Sequence, residues 1–121
     1  DSAEIEVGQE ISTEIFSEIK KVKVSGTSKG RGFAGGVRRY GFKGGPKTHG
    51  QSDRHRAVGS IGAGSSPGRV WPGTRMPGHF GNAKTTVKGL RLVKVDSTNN
   101  ILLIKGAVPG FNGSTVRVEA Q

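Results

Sequence analysis

The chain has 121 residues, a formal net charge of +10 and no cysteine. This length allows one domain at most, and the apolar fraction of 31% is low beside the roughly 45–50% of globular chains. The composition excludes a disulfide framework and cysteine-ligated zinc, and no apolar run approaches the ~18–20 residues of a membrane helix.

The positive charge is concentrated in the interior of the chain. Sixteen of the 19 lysines and arginines lie between Lys20 and Arg91, where Asp53 is the one acid. Residues 1–19 hold six acids and no base. Such a balance favours nucleic acid or an anionic surface as the partner. The chain begins at Asp1 without an initiator methionine, so we expect it to be a piece of a longer protein.

The N-terminal third predicts short strands followed by an irregular segment. Residues 4–7 alternate acid and apolar side chains, and residues 11–16 form a second short apolar segment. Lys20–Val24 alternates lysine with valine, as a half-buried strand does. From Ser25 to Gly81 no period fits, and glycine or proline interrupts every few residues.

Strand character returns over residues 85–96. Its apolar residues do not all fall on one face of a regular strand. Val87, Val93 and Val95 stand at odd positions, whereas Leu90 and Leu92 stand at even positions. This change of parity predicts a bulge or a barrel corner near Gly89 or Leu92. Beyond a polar turn, Ile101–Ile104 is apolar throughout and is predicted to be buried on both sides. A second turn at residues 109–113 precedes a final alternating strand at Val116–Glu119.

These elements predict a mainly β fold. The body comprises residues 1–27 and 83–121 and is expected to form a small antiparallel sheet, closed or nearly closed into a barrel. Residues 28–82 form a long, glycine-rich, basic extension inserted between two strands. No helix longer than a turn or two is predicted. An insertion this long is usually functional or disordered.

The glycine-rich segment Gly30–Val37 matches phosphate-binding loops in its spacing alone. No helix is expected to follow it, and no strand lysine or ribose-binding acid occurs downstream. Residues 41–48 approach a Walker loop, but Pro46 stands where a glycine N–H would contact phosphate. Neither segment predicts a nucleotide site.

No catalytic or metal site is expected. His49, His55 and His79 match no standard ligand spacing, and each lies near a cation that would oppose a metal ion. Ser52, Asp53 and His55 have the residue types of a hydrolase triad, but one flexible loop cannot orient them. The histidines are therefore expected to be solvated or stacked on RNA.

The basic segment itself favours RNA binding over a solvated tail. It is interior to the chain, and its charges are interspersed with aromatic residues that can stack on bases. Its turn-like glycine–proline pairs allow the backbone to approach phosphates closely. RNA is favoured over DNA because no recognition helix is predicted.

Five ordered motifs carry a resemblance to a known family. The first reads Val24-Ser25-Gly26-Thr27-Ser28-Lys29-Gly30-Arg31-Gly32-Phe33. The others are residues 44–50, residues 55–62, residues 67–70 with residues 76–81, and the segment Leu103–Gly110. Together they resemble the universal large-subunit ribosomal protein L three family in its bacterial or organellar form, without that family's N-terminal portion.

The resemblance implies a six-stranded translation-protein-type barrel whose long loop enters the large-subunit rRNA. It implies a structural role, binding early in subunit assembly, with the loop tip at about Ser60–Gly68 near the peptidyl transferase centre. The partners would be large-subunit rRNA and neighbouring ribosomal proteins, with no membrane and no small-molecule substrate. The location would be a bacterial cytoplasmic ribosome or an organellar ribosome. No enzymatic activity, metal or cofactor is expected.

Mapped by motif, the resemblance also predicts RNA-binding residues. The expected phosphate contacts are Lys29, Arg31, Arg38, Arg39, Lys43, Lys47, Arg54, Arg56, Arg69 and Arg75. Tyr40 and Trp71 are expected to be stacking or packing anchors, and His49, His55 and His79 complete the predicted set. The alternative is a barrel module with a disordered basic loop that binds nucleic acids or anionic surfaces without specificity.

Overall fold

The computed structural model describes residues 7–121. The chain divides into two compact units. One consists of the residues up to Lys29 together with Lys84–Gln121, and the other of Gly30–Ala83. We call the first the sheet unit and the second the extension. Most of the alternation predicted at residues 4–7 lies outside the described residues.

The regular structure is mainly β, which confirms the predicted class. A 3-10 helix at Thr13–Phe16 lies within the predicted apolar segment, and one α-helix, α1, spans Gly36–Tyr40. The strands are β1 (Lys21–Thr27), β2 (Phe33–Ala34), β3 (Gly78–His79), β4 (Lys84–Asp96), β5 (Ile101–Lys105) and β6 (Val116–Ala120). Neither helix within residues 7–121 is long and apolar enough to cross a membrane.

The sheet unit contains a four-stranded antiparallel sheet in the order β5-β4-β1-β6. The remaining strands, β2 and β3, belong to the extension and pair with each other. Strands β5 and β6 are therefore the outer strands of the sheet. Over residues 7–121 the sheet does not close, so the six-stranded barrel expected from the sequence is not found there.

Strand β4 carries a bulge against β1. Val22 pairs with Leu90 and Val24 pairs with Val87, so β4 has one more residue than β1 over this step. Gly89 lies in the bulge with a φ of 70°. This left-handed conformation favours glycine, because a side chain there is strained. The bulge lies at the first of the two predicted positions.

A second bulge in β4 faces β5. Leu92 pairs with Ile104 and Lys94 pairs with Leu103, which leaves Val93 as the extra residue. This is the second predicted position, so the parity change read from the sequence is confirmed. Each bulge reverses the alternation of side chains. The apolar residues on both sides of a bulge can therefore share the core face.

The core of the sheet unit lies on one face of the sheet. Val22 and Val24 are fully buried, and Leu92 is 9% exposed. Around them pack the partly buried residues Phe16, Ile19, Leu90, Val95, Leu102, Ile104, Val116 and Val118. The alternation of valine and lysine in β1 thus separates the core face from the opposite, solvent-exposed face.

The predicted burial of β5 on both sides is wrong. Leu102 and Ile104 pack against the core, whereas Ile101 and Leu103 are 48% and 49% exposed. The reason is that the core covers one face of the sheet only, which leaves the other face of β5 open to solvent. Its apolar run therefore behaves as an alternating strand.

The prediction that no helix follows the Gly30–Val37 segment is also wrong. Helix α1 follows Gly35 and ends at Gly41, which has a φ of 70°. The N–H of Gly41 donates to the carbonyl of Val37 over 3.0 Å. The glycine that suggested irregular structure is thus the C-terminal cap of the helix. At five residues, α1 stays within the predicted limit of a turn or two.

Candidate nucleic-acid interface

The extension presents cations without acidic partners. Its lysines and arginines are Arg31, Arg38, Arg39, Lys43, Lys47, Arg54, Arg56, Arg69 and Arg75. All of them except Arg39 are exposed. Within the described part of the chain, none of these side chains forms an ion pair with a carboxylate. The single acid, Asp53, accepts a 3.4 Å hydrogen bond from the Ser52 hydroxyl. The charge of the extension is therefore left for solvent ions or an anionic partner.

Several of these arginines lie over aromatic rings. The guanidinium carbon of Arg69 is 4.5 Å from the centroid of the Trp71 ring. Arg39 and Arg75 lie 5.0 Å and 5.5 Å from the centroid of Tyr40. Such contacts contribute about 0.5–1 kcal/mol each at exposed sites. They orient the cation and leave its charge available.

These contacts place Tyr40 and Trp71 next to cations within the extension. Trp71 is 55% exposed and Tyr40 is 36% exposed. The Tyr40 ring also lies against Phe42, with their centroids 5.8 Å apart. Tyr40 is thus the residue of α1 against which Phe42 and two arginines pack. Trp71 keeps enough exposed surface for a base to stack on it.

Arg39 has a structural role that the sequence did not indicate. One of its guanidinium nitrogens donates a 2.8 Å hydrogen bond to the carbonyl of Met76. The same nitrogen lies 2.6 Å from the position that a Cβ on Gly78 would occupy. Arg39 therefore joins α1 to the segment before β3, and the glycine at position 78 makes room for it. In the sequence, only Gly78 could have indicated this contact, and Arg39 is too distant along the chain for a local pattern to connect the two.

A second contact closes the loop formed by residues 46–54. The N–H of Gly45 donates to the His55 carbonyl over 2.8 Å, and Nδ1 of His55 lies 3.1 Å from the Gly45 carbonyl. Since a carbonyl only accepts, Nδ1 carries the proton in this bond. A Cβ on Gly44 would lie 2.6 Å from the His55 carbonyl oxygen. We call this contact the neck of the loop, and the loop presents Lys47 and His49 to solvent.

The three predicted histidines lie in different settings. His55 belongs to the neck, and His49 lies in the loop with a φ of 61°. His79 is exposed in β3, opposite Phe33 of β2. Within residues 7–121, no three histidine or carboxylate side chains are grouped so that they could hold a metal ion.

The two-stranded ribbon holds the two ends of the extension together. Beside the β2–β3 pairing, the N–H of Arg31 donates to the carbonyl of Phe80 over 2.8 Å. The N–H of Phe80 donates to the carbonyl of Gly32 over 2.9 Å. The guanidinium of Arg31 lies 5.6 Å from the centroid of the Phe80 ring. The ribbon thus fixes Arg31 at the start of the extension.

The predicted tip is exposed throughout. Every residue from 59 to 73 is solvent-exposed, including Ile61 and Trp71. Local turns order this segment: the Gly68 N–H donates to the Gly64 carbonyl over 3.1 Å, and the Thr74 hydroxyl donates to the Trp71 carbonyl over 2.6 Å. Lys29, which was predicted with the extension, belongs to the sheet unit.

Known proteins resemble this chain over almost its whole length. The family described as Ribosomal protein L3 matches residues 2–101. The chain is 55% identical over 112 residues to the large ribosomal subunit protein uL3 of Herpetosiphon aurantiacus, covering 93% of the chain and 53% of the relative. It is 51% identical over 119 residues to uL3 of Corynebacterium jeikeium, covering 98% and 55%. The chain thus spans about half the length of these curated relatives.

Proposed function

Since the chain belongs to the ribosomal protein L3 family, we propose that it is a structural constituent of the large ribosomal subunit and binds the rRNA of that subunit. The family is one of structural ribosomal proteins, and the role proposed for this chain is not enzymatic. The partners would be large-subunit rRNA and neighbouring ribosomal proteins, on a bacterial cytoplasmic ribosome or an organellar one.

The observation that carries the proposal is the unpaired charge of the extension. Its exposed lysines and arginines have no carboxylate partner within the described residues. Each cation that meets a phosphate releases condensed counterions, which favours binding to a polyanion. RNA suits the extension because folded RNA accepts irregular arms, whereas α1 is far too short to read a DNA major groove.

The internal contacts of the extension support tight binding. Ordering a mobile segment costs about 1–2 kcal/mol per residue of backbone. The neck at His55, the bond from Arg39 to Met76 and the β2–β3 ribbon each restrict the free chain. A chain restricted before binding loses less entropy when it binds. These contacts would therefore raise the affinity without touching the RNA themselves.

The finer parts of the proposal concern assembly and position. The tip at Ser60–Gly68 would lie near the peptidyl transferase centre and support its surroundings, and binding would occur early in subunit assembly. The four-stranded sheet would be one part of the six-stranded barrel, whose remaining strands would pair along the outer edge of β5 or β6. The support for this is the resemblance of the ordered motifs.

Binding to rRNA tests the proposal directly. The chain is titrated with large-subunit rRNA domains and with an unrelated structured RNA of equal length, over a range of salt concentrations. We expect at least a hundredfold preference for the rRNA at physiological salt. If about ten cations contact phosphates, the logarithm of the binding constant should fall with the logarithm of salt with a slope of roughly −7 to −9. Equal binding to both RNAs would instead support the non-specific module.

Removing the extension tests which unit supplies the affinity. Replacing Gly30–Gly81 by a short flexible linker should leave the sheet folded, because the core residues all belong to the sheet unit. Tight rRNA binding should be lost. A far-ultraviolet circular dichroism spectrum checks the fold. Undiminished binding by the folded variant would contradict the assignment of affinity to the extension.

A further inference from the structure

The sheet unit carries a row of three cations on the face opposite its core. Lys21 of β1 pairs with Arg91 of β4, and Arg91 pairs in turn with Lys105 of β5. We call these three residues the sheet row. We infer that the sheet row is a second RNA-phosphate-binding surface, separate from the extension. This inference rests on the proposed function and locates a further binding surface for it.

The strand alternation places the three side chains on one face. Val22 follows Lys21, Ile104 precedes Lys105, and Leu90 and Leu92 flank Arg91. Those four apolar residues form or contact the core. Because neighbouring residues of a strand point to opposite faces, the sheet row points away from the core. All three of its members are exposed.

No acid within residues 7–121 neutralises the sheet row. The ion pairs of the sheet unit join Glu119 to Lys23 and Arg117. On the β6 side of Lys21 lies the amide residue Gln121, whose N–H donates to the Lys21 carbonyl over 3.1 Å. Asp96 of β4 is engaged by the turn that follows it, where its carboxylate accepts bonds from Thr98 and Asn99.

Like charges at directly opposed positions destabilise a sheet. The sheet row has two such pairs in succession, and it therefore opposes folding in the free chain. A ligand with several anionic groups at short spacing would relieve this repulsion. Neighbouring strands lie about 4.8 Å apart, so the row spans about 10 Å, and its long side chains can reach separate anions. The phosphate backbone of RNA offers successive anions over such a distance.

Neutral replacement of the sheet row tests the inference in the full chain. The variant K21Q/R91Q/K105Q is titrated with a large-subunit rRNA domain over a range of salt concentrations. Loss of three phosphate contacts should reduce the magnitude of the salt slope by about 2–3 and weaken binding on the order of a hundredfold at 0.1 M salt. The matched control, K23Q/K84Q/R117Q, removes the same charge from the residues around Glu119.

The control separates local contact from net charge. We expect the control to change the salt slope by less than about one. Equal losses in both variants would overturn the inference, since net charge alone would then explain them. An unchanged salt slope in the sheet-row variant would also overturn the inference. This is the result expected if the row binds an acidic protein and not RNA.

Thermal unfolding gives an independent readout of the same row. Removing the repulsion should raise the unfolding temperature of the sheet-row variant at low salt, and a lower temperature would contradict the repulsion. If the triple variant does not fold, K105Q on the outer strand should still reduce the slope by about 0.7–0.9. If the wild type shows no preference for rRNA over unrelated RNA, the proposed function fails. The slope comparison then still decides whether the row contacts phosphate.

Discussion

Substituting Gly44 by alanine should open the neck of the loop at residues 46–54. Gly44 has a φ of 71°, and a Cβ there would lie 2.6 Å from the His55 carbonyl oxygen. The left-handed conformation costs an alanine about 1–2 kcal/mol. The clash must also displace the His55 backbone, and with it the carbonyl that accepts from the Gly45 N–H and the ring whose Nδ1 donates to the Gly45 carbonyl. These bonds contribute about 1 kcal/mol each.

Gly50→Ala is the matched control for this substitution. Gly50 lies in the same loop with a φ of 79°, and nothing lies within 4 Å of its added Cβ. Both variants therefore incur the conformational cost, and only Gly44→Ala incurs the clash. The free energy of opening the neck should differ between them by about 2 kcal/mol, which corresponds to about a 30-fold difference in the opening equilibrium.

Hydrogen exchange of the Gly45 amide measures this opening, since that N–H is the donor in the neck. We expect the amide to exchange about 30-fold faster in Gly44→Ala than in Gly50→Ala. Equal exchange rates in the two variants would refute the reasoning, because the contact with the His55 carbonyl would then have no energetic consequence.

Three further predictions concern the core, the charge network and the extension. Leu92→Ala should lower the free energy of unfolding by about 2–4 kcal/mol and Leu103→Ala, on the exposed face of β5, by less than about 1 kcal/mol, as measured by urea unfolding. The hydrogen bond from Lys23 of β1 lowers the pKa of Glu119. The free energy of unfolding should therefore fall as pH drops below the ordinary glutamate pKa of about 4.3. Glu119→Gln should make the free energy of unfolding less dependent on pH in this range. An unaltered pH profile would contradict a stabilising role for the ion pairs of Glu119. Arg39→Lys removes the guanidinium that donates to the Met76 carbonyl. A protease specific for aromatic residues should therefore cleave the extension about 5- to 30-fold faster. Arg38→Lys, which alters an exposed side chain, should leave that rate unchanged.

Local patterns predicted the sheet where the side chains alternate. The lysine–valine alternation of β1 identified Val22 and Val24 as core residues, and both are fully buried. The parity change in β4 predicted a bulge or a barrel corner near Gly89 or Leu92, and a bulge occurs at each of these places. These features depend on the sequence period of one strand, which can be read without knowing the strand's partners.

Other features depend on partners that a local pattern does not contain. The apolar run of β5 suggested burial on both sides, but Ile101 and Leu103 are exposed because the core covers only one face of the sheet. No helix was expected after the Gly30–Val37 segment, since more glycine follows it, whereas the left-handed conformation of Gly41 caps helix α1. The bond from Arg39 to Met76 spans 37 residues and leaves no periodic signal.

The two bulges of β4 also determine how the strand can change in length. Pairs with β1 run from Lys84 to Arg91 and pairs with β5 from Arg91 to Asp96, so Arg91 belongs to both ladders. A deletion at Gly89 would remove the first bulge and leave Val87 and Leu90 two positions apart, so both would stay on the same face of the strand. A deletion at Val93 would do the same for Leu92 and Val95. A deletion elsewhere in β4 would reverse the faces of one part of the strand relative to the other, so relatives with a shorter strand are expected to lack a residue at one of the two bulges.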